Sequence, residues 1–249
     1  MVALDLAVTE SGLGSQRVVF VHGVLDRGAS FERVAALLES ECRMLRYDRR
    51  GYAGSIDAPG TPVGVDGHID DLVAILDGEP AVVVGHSFGG VTVVGAALRA
   101  PELVRSVVLY ETGFAWVPSW DDSPVQALLA GEDPEGAGVR QLFPRRYDSM
   151  SDDERSQLRR EAAAFLAEER SVRTGSPPYD IADLAVPLVY GSSGVERFTA
   201  VADHLRAVVG HDAGRVETVI VPGGGHNPHR TAPDAFADLV RRGIALAAR

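Results

Sequence analysis

Residues 85–90 read Gly-His-Ser-Phe-Gly-Gly, between the apolar run Ala81–Val84 and a segment with helical spacing, Val91, Val94, Ala97 and Leu98. A strand that turns at once into a helix fixes a βα unit, and the glycines on both sides of Ser87 say how tight its turn is. They permit a sharp backbone and close helix–strand packing, and the turn lifts the serine hydroxyl clear of the chain. The amide of Phe88 opens the helix and can face an oxygen that gains charge as Ser87 attacks a carbonyl. The alternative on these residues alone is a serine in an ordinary βα turn.

The rest of the chain keeps the same rhythm. Gln16–Val21, Arg43–Tyr47, Val104–Tyr110, Pro187–Tyr190 and Val216–Val221 read as further strands. Phe31, Val34, Leu37 and Leu38 share a helix face with Ser30 as N-cap, Asp66–Leu76 is a second helix, and Thr231 caps a final one through Phe236, Leu239, Val240 and Ile244. Alternating strands and helices predict an α/β fold with a parallel sheet covered on both faces. A length of 249 residues with 45% apolar content suits one large domain with a small insertion.

The rhythm breaks between about Phe114 and Asp180. That stretch offers no strand, is rich in charge, proline and glycine, and holds a helix opened by Ser151-Asp152-Asp153-Glu154, a capping box, with an apolar stripe of Leu158, Ala162, Phe165 and Leu166. It predicts a helical lid over residues 114–180, with residues 1–113 and 181–249 as the core. The lid base carries Phe114, Trp116 and Trp120, and these predict an apolar substrate pocket, with Leu128, Leu129, Phe143 and Phe165 nearby. A surface excursion without function is the alternative. Arg145 and Arg146 are candidates for a substrate carboxylate, or for water.

A serine nucleophile needs a base, an acid that orients the base, and oxyanion donors. His226 follows a strand in the loop Pro222–Gly225, and the order of nucleophile, acid, then histidine near the C-terminus marks it as the base. His229 is the fallback. His68, His204 and His211 are expected in solvent. The segment Val21-His22-Gly23-Val24 ends the first apolar strand, so Val24 N–H is the expected second oxyanion donor beside Phe88 N–H, with His22 orienting or packing at the pocket.

Four segments, in order, resemble the α/β-hydrolase superfamily: Val21-His22-Gly23, Tyr47-Asp48-Arg49-Arg50-Gly51-Tyr52, Gly85–Gly90, and Gly224-Gly225-His226. The resemblance implies an eight-stranded, mostly parallel sheet and a helical cap after the sixth strand. Asp48 and Arg49 are structural in that pattern, shaping the turn after their strand. One departure concerns the acid. The family's aspartate usually follows the seventh strand, but here Leu188–Tyr190 is followed by Gly191-Ser192-Ser193-Gly194, and Gly194 holds the expected place. Some branches, such as certain haloalkane dehalogenases, carry the acid after the sixth strand, where this chain has Glu111. Glu111 is therefore the expected triad acid, with Glu196 as the alternative.

An elbow serine, not the aspartate of dehalogenases and epoxide hydrolases, points to an acyl-enzyme. The expected function is a serine hydrolase for a small or medium apolar carboxylic ester. Lactone opening, cyclisation, perhydrolysis and carbon–carbon cleavage use the same triad, and a non-catalytic binding protein is the further alternative. No metal or cofactor motif is present. A net charge of −11 argues against nucleic acid and anionic membranes, so a small-molecule substrate is the expected partner, and a homodimer stays open. One cysteine, Cys42, and no signal-like start point to the cytoplasm.

Overall fold

A computed structural model describes residues 5–117, 120–144, 146–174, 177–209 and 216–248. Its seven strands are β1 Val8–Ser11, β2 Gln16–Val21, β3 Cys42–Tyr47, β4 Ala81–His86, β5 Val104–Tyr110, β6 Leu188–Ser192 and β7 Val216–Ile220. They form one sheet in the order β1-β3-β2-β4-β5-β6-β7, in which only β1 runs antiparallel to its neighbour. The expected eight strands are thus seven among the described residues. Those ahead of Gln16 supply one four-residue strand, Val8-Thr9-Glu10-Ser11, which is largely polar and exposed and carries no apolar pattern. The family pattern's sixth and seventh strands correspond here to β5 and β6.

Period-two alternation builds two cores. Val19, Val21, Val83, Val107, Leu109, Leu188 and Tyr190 face one side, against α2 Val65–Leu76, α3 Phe88–Arg99 and α7 Glu196–Val208. Val18, Phe20, Val82, Val84, Val108, Tyr110 and Val189 face the other, against α1 Glu32–Leu38 and α9 Pro233–Ala247. The short α8, Pro228–Thr231, precedes α9. Two expected caps differ. Ser30 lies within a 3-10 turn and bonds Asp26 and the Arg27 carbonyl, and Thr231 ends α8, bonding the carbonyls of Gly224 and Asn227. In both places an extra short turn displaces the cap from the helix start.

Between β5 and β6 run α4 Ser123–Leu129, α5 Pro134–Leu142 and α6 Asp152–Ser171. Ser151 and Glu154 form the reciprocal capping box at the start of α6. Phe165 and Leu166 of α6 pack with Leu128, and Ala162 and Ala164 with Tyr52 and Leu25, so this helix joins the insertion to the loops at the strand ends. No helix among the described residues is long and apolar enough to cross a membrane.

Candidate active site

Ser87 stands between β4 and α3 with φ 52° and ψ −127°, a conformation that non-glycine residues avoid. It is over-determined by its surroundings. Ser87 N–H donates to the Tyr110 carbonyl at 2.9 Å, and Gly90 N–H closes the turn on the Ser87 carbonyl at 3.0 Å. A methyl on Gly89 would lie 2.3 Å from the Val21 oxygen, and one on Gly85 would lie 2.5 Å from Gly90 Cα, so side chains there would push α3 away from β2 and β4. Ser87 Oγ itself makes no hydrogen bond to a described residue.

Glu111 follows the last residue of β5, also with positive φ, 44°. Its carboxylate is buried and its two oxygens are divided. Oε1 accepts from Ser193 N–H at 2.9 Å and from the Ser193 hydroxyl, while Oε2 lies 2.7 Å from His226 Nδ1. Burial alone would raise the Glu111 pKa, but the bonds from His226 and Ser193 outweigh it and hold the group below its ordinary value. An ionised carboxylate only accepts, so Nδ1 of His226 carries a proton toward Glu111. The His226 ring stacks 5.8 Å from Phe198, and its carbonyl is bound at 2.7 Å by His86 Nε2.

Ser87, Glu111 and His226 line one cavity of about 260 Å³. Val24 and Phe88 line it too, with Trp116, Trp120, Val125, Leu128, Phe165 and Val172 supplying an apolar wall. Glu196 opens α7 in solvent, away from His226's hydrogen bonds, and Gly194 takes φ 89°, so the loop after β6 turns on a glycine and offers Glu111 a serine in place of its own acid. That serine, Ser193, was not singled out from sequence, and its only signal was a hydroxyl beside the missing aspartate.

Several expectations differ. His22 does not line the cavity: it is fully buried, with Nε2 accepting from Arg49 N–H at 2.9 Å and Nδ1 2.7 Å from the Gly23 carbonyl. Phe114, at the start of the insertion, is likewise fully buried, edge-on to Trp116 and within the core cluster that covers one face of the sheet. Leu129 and Phe143 also stay outside the cavity lining. His68 is buried, with Nε2 2.8 Å from Glu168 Oε1, since α6 lies over α2 and covers it. His229 is buried too, 3.3 Å from Asp26, and does not reach the cavity. Arg146 pairs with Glu154, whereas Arg145 and His211 lie outside the described residues. Glu169, Arg173, Gln141 and Arg197 are polar lining residues that the sequence did not reveal.

A family model described as the alpha/beta hydrolase family matches residues 18–239. Lipase LipV of Mycobacterium tuberculosis is 35% identical over 134 residues, 52% of this chain and 50% of that protein. The 2-(acetamidomethylene)succinate hydrolase of Mesorhizobium japonicum is 36% identical over 108 residues, 42% of this chain and 38% of that protein. The chain thus spans about half the length, or less, of these curated relatives. An alpha/beta hydrolase from Sphaerobacter thermophilus superposes with a TM-score of 0.69 at 25% identity, covering 96% of each chain. A match from the first buried strand to the last helix, on a parallel sheet that raises a strained serine at a strand end, places the chain in the alpha/beta hydrolase family.

Proposed function

We propose that the protein is a serine hydrolase that cleaves a small or medium apolar carboxylic ester through an acyl-enzyme on Ser87. The observation that carries this reading is the 2.7 Å contact of Glu111 Oε2 with His226 Nδ1 beside an unbonded Ser87 Oγ in one apolar cavity. In this mechanism His226 Nε2 takes the Ser87 proton as Oγ attacks the ester carbonyl. Glu111 holds the imidazole in the required tautomer and stabilises the imidazolium. The amides of Val24 and Phe88 bind the oxyanion. The tetrahedral adduct collapses, and His226 returns the proton to the leaving alcohol. Water, activated by the same imidazole, then attacks the acyl-serine and releases the acid.

Residues 114–180 act in this reading as a cap whose Trp116, Trp120, Leu128 and Phe165 hold the acyl chain. The substrate is a small molecule, and the single, buried Cys42 suits the cytoplasm. A panel of p-nitrophenyl esters graded in chain length tests the proposal. Turnover is expected on short and medium acyl groups, and Ser87→Ala is expected to lower it by roughly 10⁴-fold or more. Full turnover in a folded Ser87→Ala protein would refute it.

A further inference from the structure

Arg49 is fully buried, yet it contacts both sides of the site. Its Nε donates to the His22 carbonyl at 2.8 Å and Nη2 to the Gly23 carbonyl at 3.0 Å. Its guanidinium carbon lies 5.6 Å from the centre of the Phe88 ring and 4.7 Å from that of Tyr52. Nη1 is held at 2.6 Å by Glu168, also fully buried, which belongs to α6 of the insertion. Burial would raise the Glu168 pKa, but Arg49 and His68 together lower it, and the pair is charged.

His22 adds to the same clamp. An amide can only donate, so Arg49 N–H fixes His22 Nε2 as the acceptor, and Nδ1–H donates to the Gly23 carbonyl. Burial first, and the Arg49 charge second, push the His22 pKa down to about 3, which keeps this neutral tautomer. The Gly23 oxygen therefore accepts two bonds, one from an imidazole and one from a guanidinium. That oxygen and Val24 N–H belong to one planar trans peptide and point in opposite directions. Fixing one fixes the other. The loop is also pressed against the nucleophile, since a methyl on Gly23 would lie 3.0 Å from Ser87 Cβ.

We propose that Arg49, held by Glu168 of the inserted helix, is a positioning residue that sets the Gly23–Val24 peptide so that Val24 N–H faces the oxyanion. This rests on the acyl-transfer reading above for its kinetic consequence, but not for its structural one. Removing Glu168 alone would leave an unpaired buried cation, so the test removes both charges. Arg49→Met/Glu168→Gln abolishes the two carbonyl contacts while leaving an amide oxygen toward His68. Its kcat on a p-nitrophenyl ester should fall about ten- to a hundredfold, a part of what one oxyanion donor supplies, with KM changed by less than about twofold. A role in folding alone would instead lower the thermal midpoint and leave kcat of the folded fraction unchanged. In its crystal structure the Gly23–Val24 peptide should depart from the wild-type orientation. Arg49→Lys, which keeps the charge but lacks a fork able to span two carbonyls and a carboxylate, should show the same kcat loss in a folded protein.

Full kcat with an unmoved peptide in either variant would overturn the proposal, as would failure of both variants to fold, which assigns the network to folding alone. If the wild type shows no Ser87-dependent ester turnover, the acyl-transfer reading fails by itself, and the peptide orientation still decides the positioning claim.

Discussion

Glu111 and Glu168 are both buried carboxylates against a basic group, on either side of the nucleophile, and they differ in what lies beyond that group. Glu111 is paired with His226, whose side chain is 43% exposed toward the cavity. Glu168 is paired with Arg49 and His68, and all three are sealed from solvent. A base that must accept and return protons needs an open face. A guanidinium does not titrate in this role and serves to hold dipoles in place. In the proposed mechanism the two networks would divide the work, one moving a proton and the other keeping a peptide still.

That division gives the two acids opposite mutational signatures. Glu111→Gln preserves size and leaves Ser193 able to bond, so the ester rate should fall by about 10²- to 10⁴-fold with the thermal midpoint nearly unchanged. Steady-state kinetics beside a melting curve checks this, and a fully active variant would move the acid elsewhere, with Glu196 the first residue to test. Glu168→Gln should instead cost about 3–5 kcal/mol of stability by stranding the buried Arg49, read as a large drop in denaturant midpoint. A folded, unshifted Glu168→Gln protein would erase the contrast.

Smaller effects follow from the wall of the cavity and from the buried imidazole. Trp116→Ala and Trp120→Ala should shift chain-length preference across the ester panel more than they shift stability, since both rings line the cavity. Unaltered selectivity in both would remove the insertion from substrate choice. His22, whose pKa falls from 6.5 to about 3 on burial, binds a proton more readily in the unfolded chain. Its contribution to stability is complete above pH 6.5 and is lost as the pH falls toward 3. The stability gap between wild type and His22→Gln should therefore narrow by about 1.4 kcal/mol per pH unit below 6.5. A gap that stays constant with pH would contradict a neutral His22.

The fold was legible wherever local pattern and tertiary role coincide. The six apolar strands and the helix behind Ser87 announce themselves through period and glycine. The polar edge strand Val8–Ser11 does not, because pairing rather than burial makes it a strand. The meeting of Ser87, His226 and Glu111 at one cavity was foreseeable because each ends or follows a recognisable strand. His22, Phe114 and His68 were misplaced because their exposure is decided by segments far away in sequence. His68 looked solvated among Asp66, Asp70 and Asp71 until α6, a hundred residues later, covered it. The Arg49–Glu168 pair spans 119 positions, and no spacing rule joins a strand-end turn to an inserted helix.

The most direct test of the account is labelling with a fluorophosphonate, followed by peptide mass spectrometry. One covalent adduct on Ser87 is expected, absent in Ser87→Ala and forming more slowly in Glu111→Gln. A folded wild-type protein that takes no label, or takes it on another residue, would contradict it.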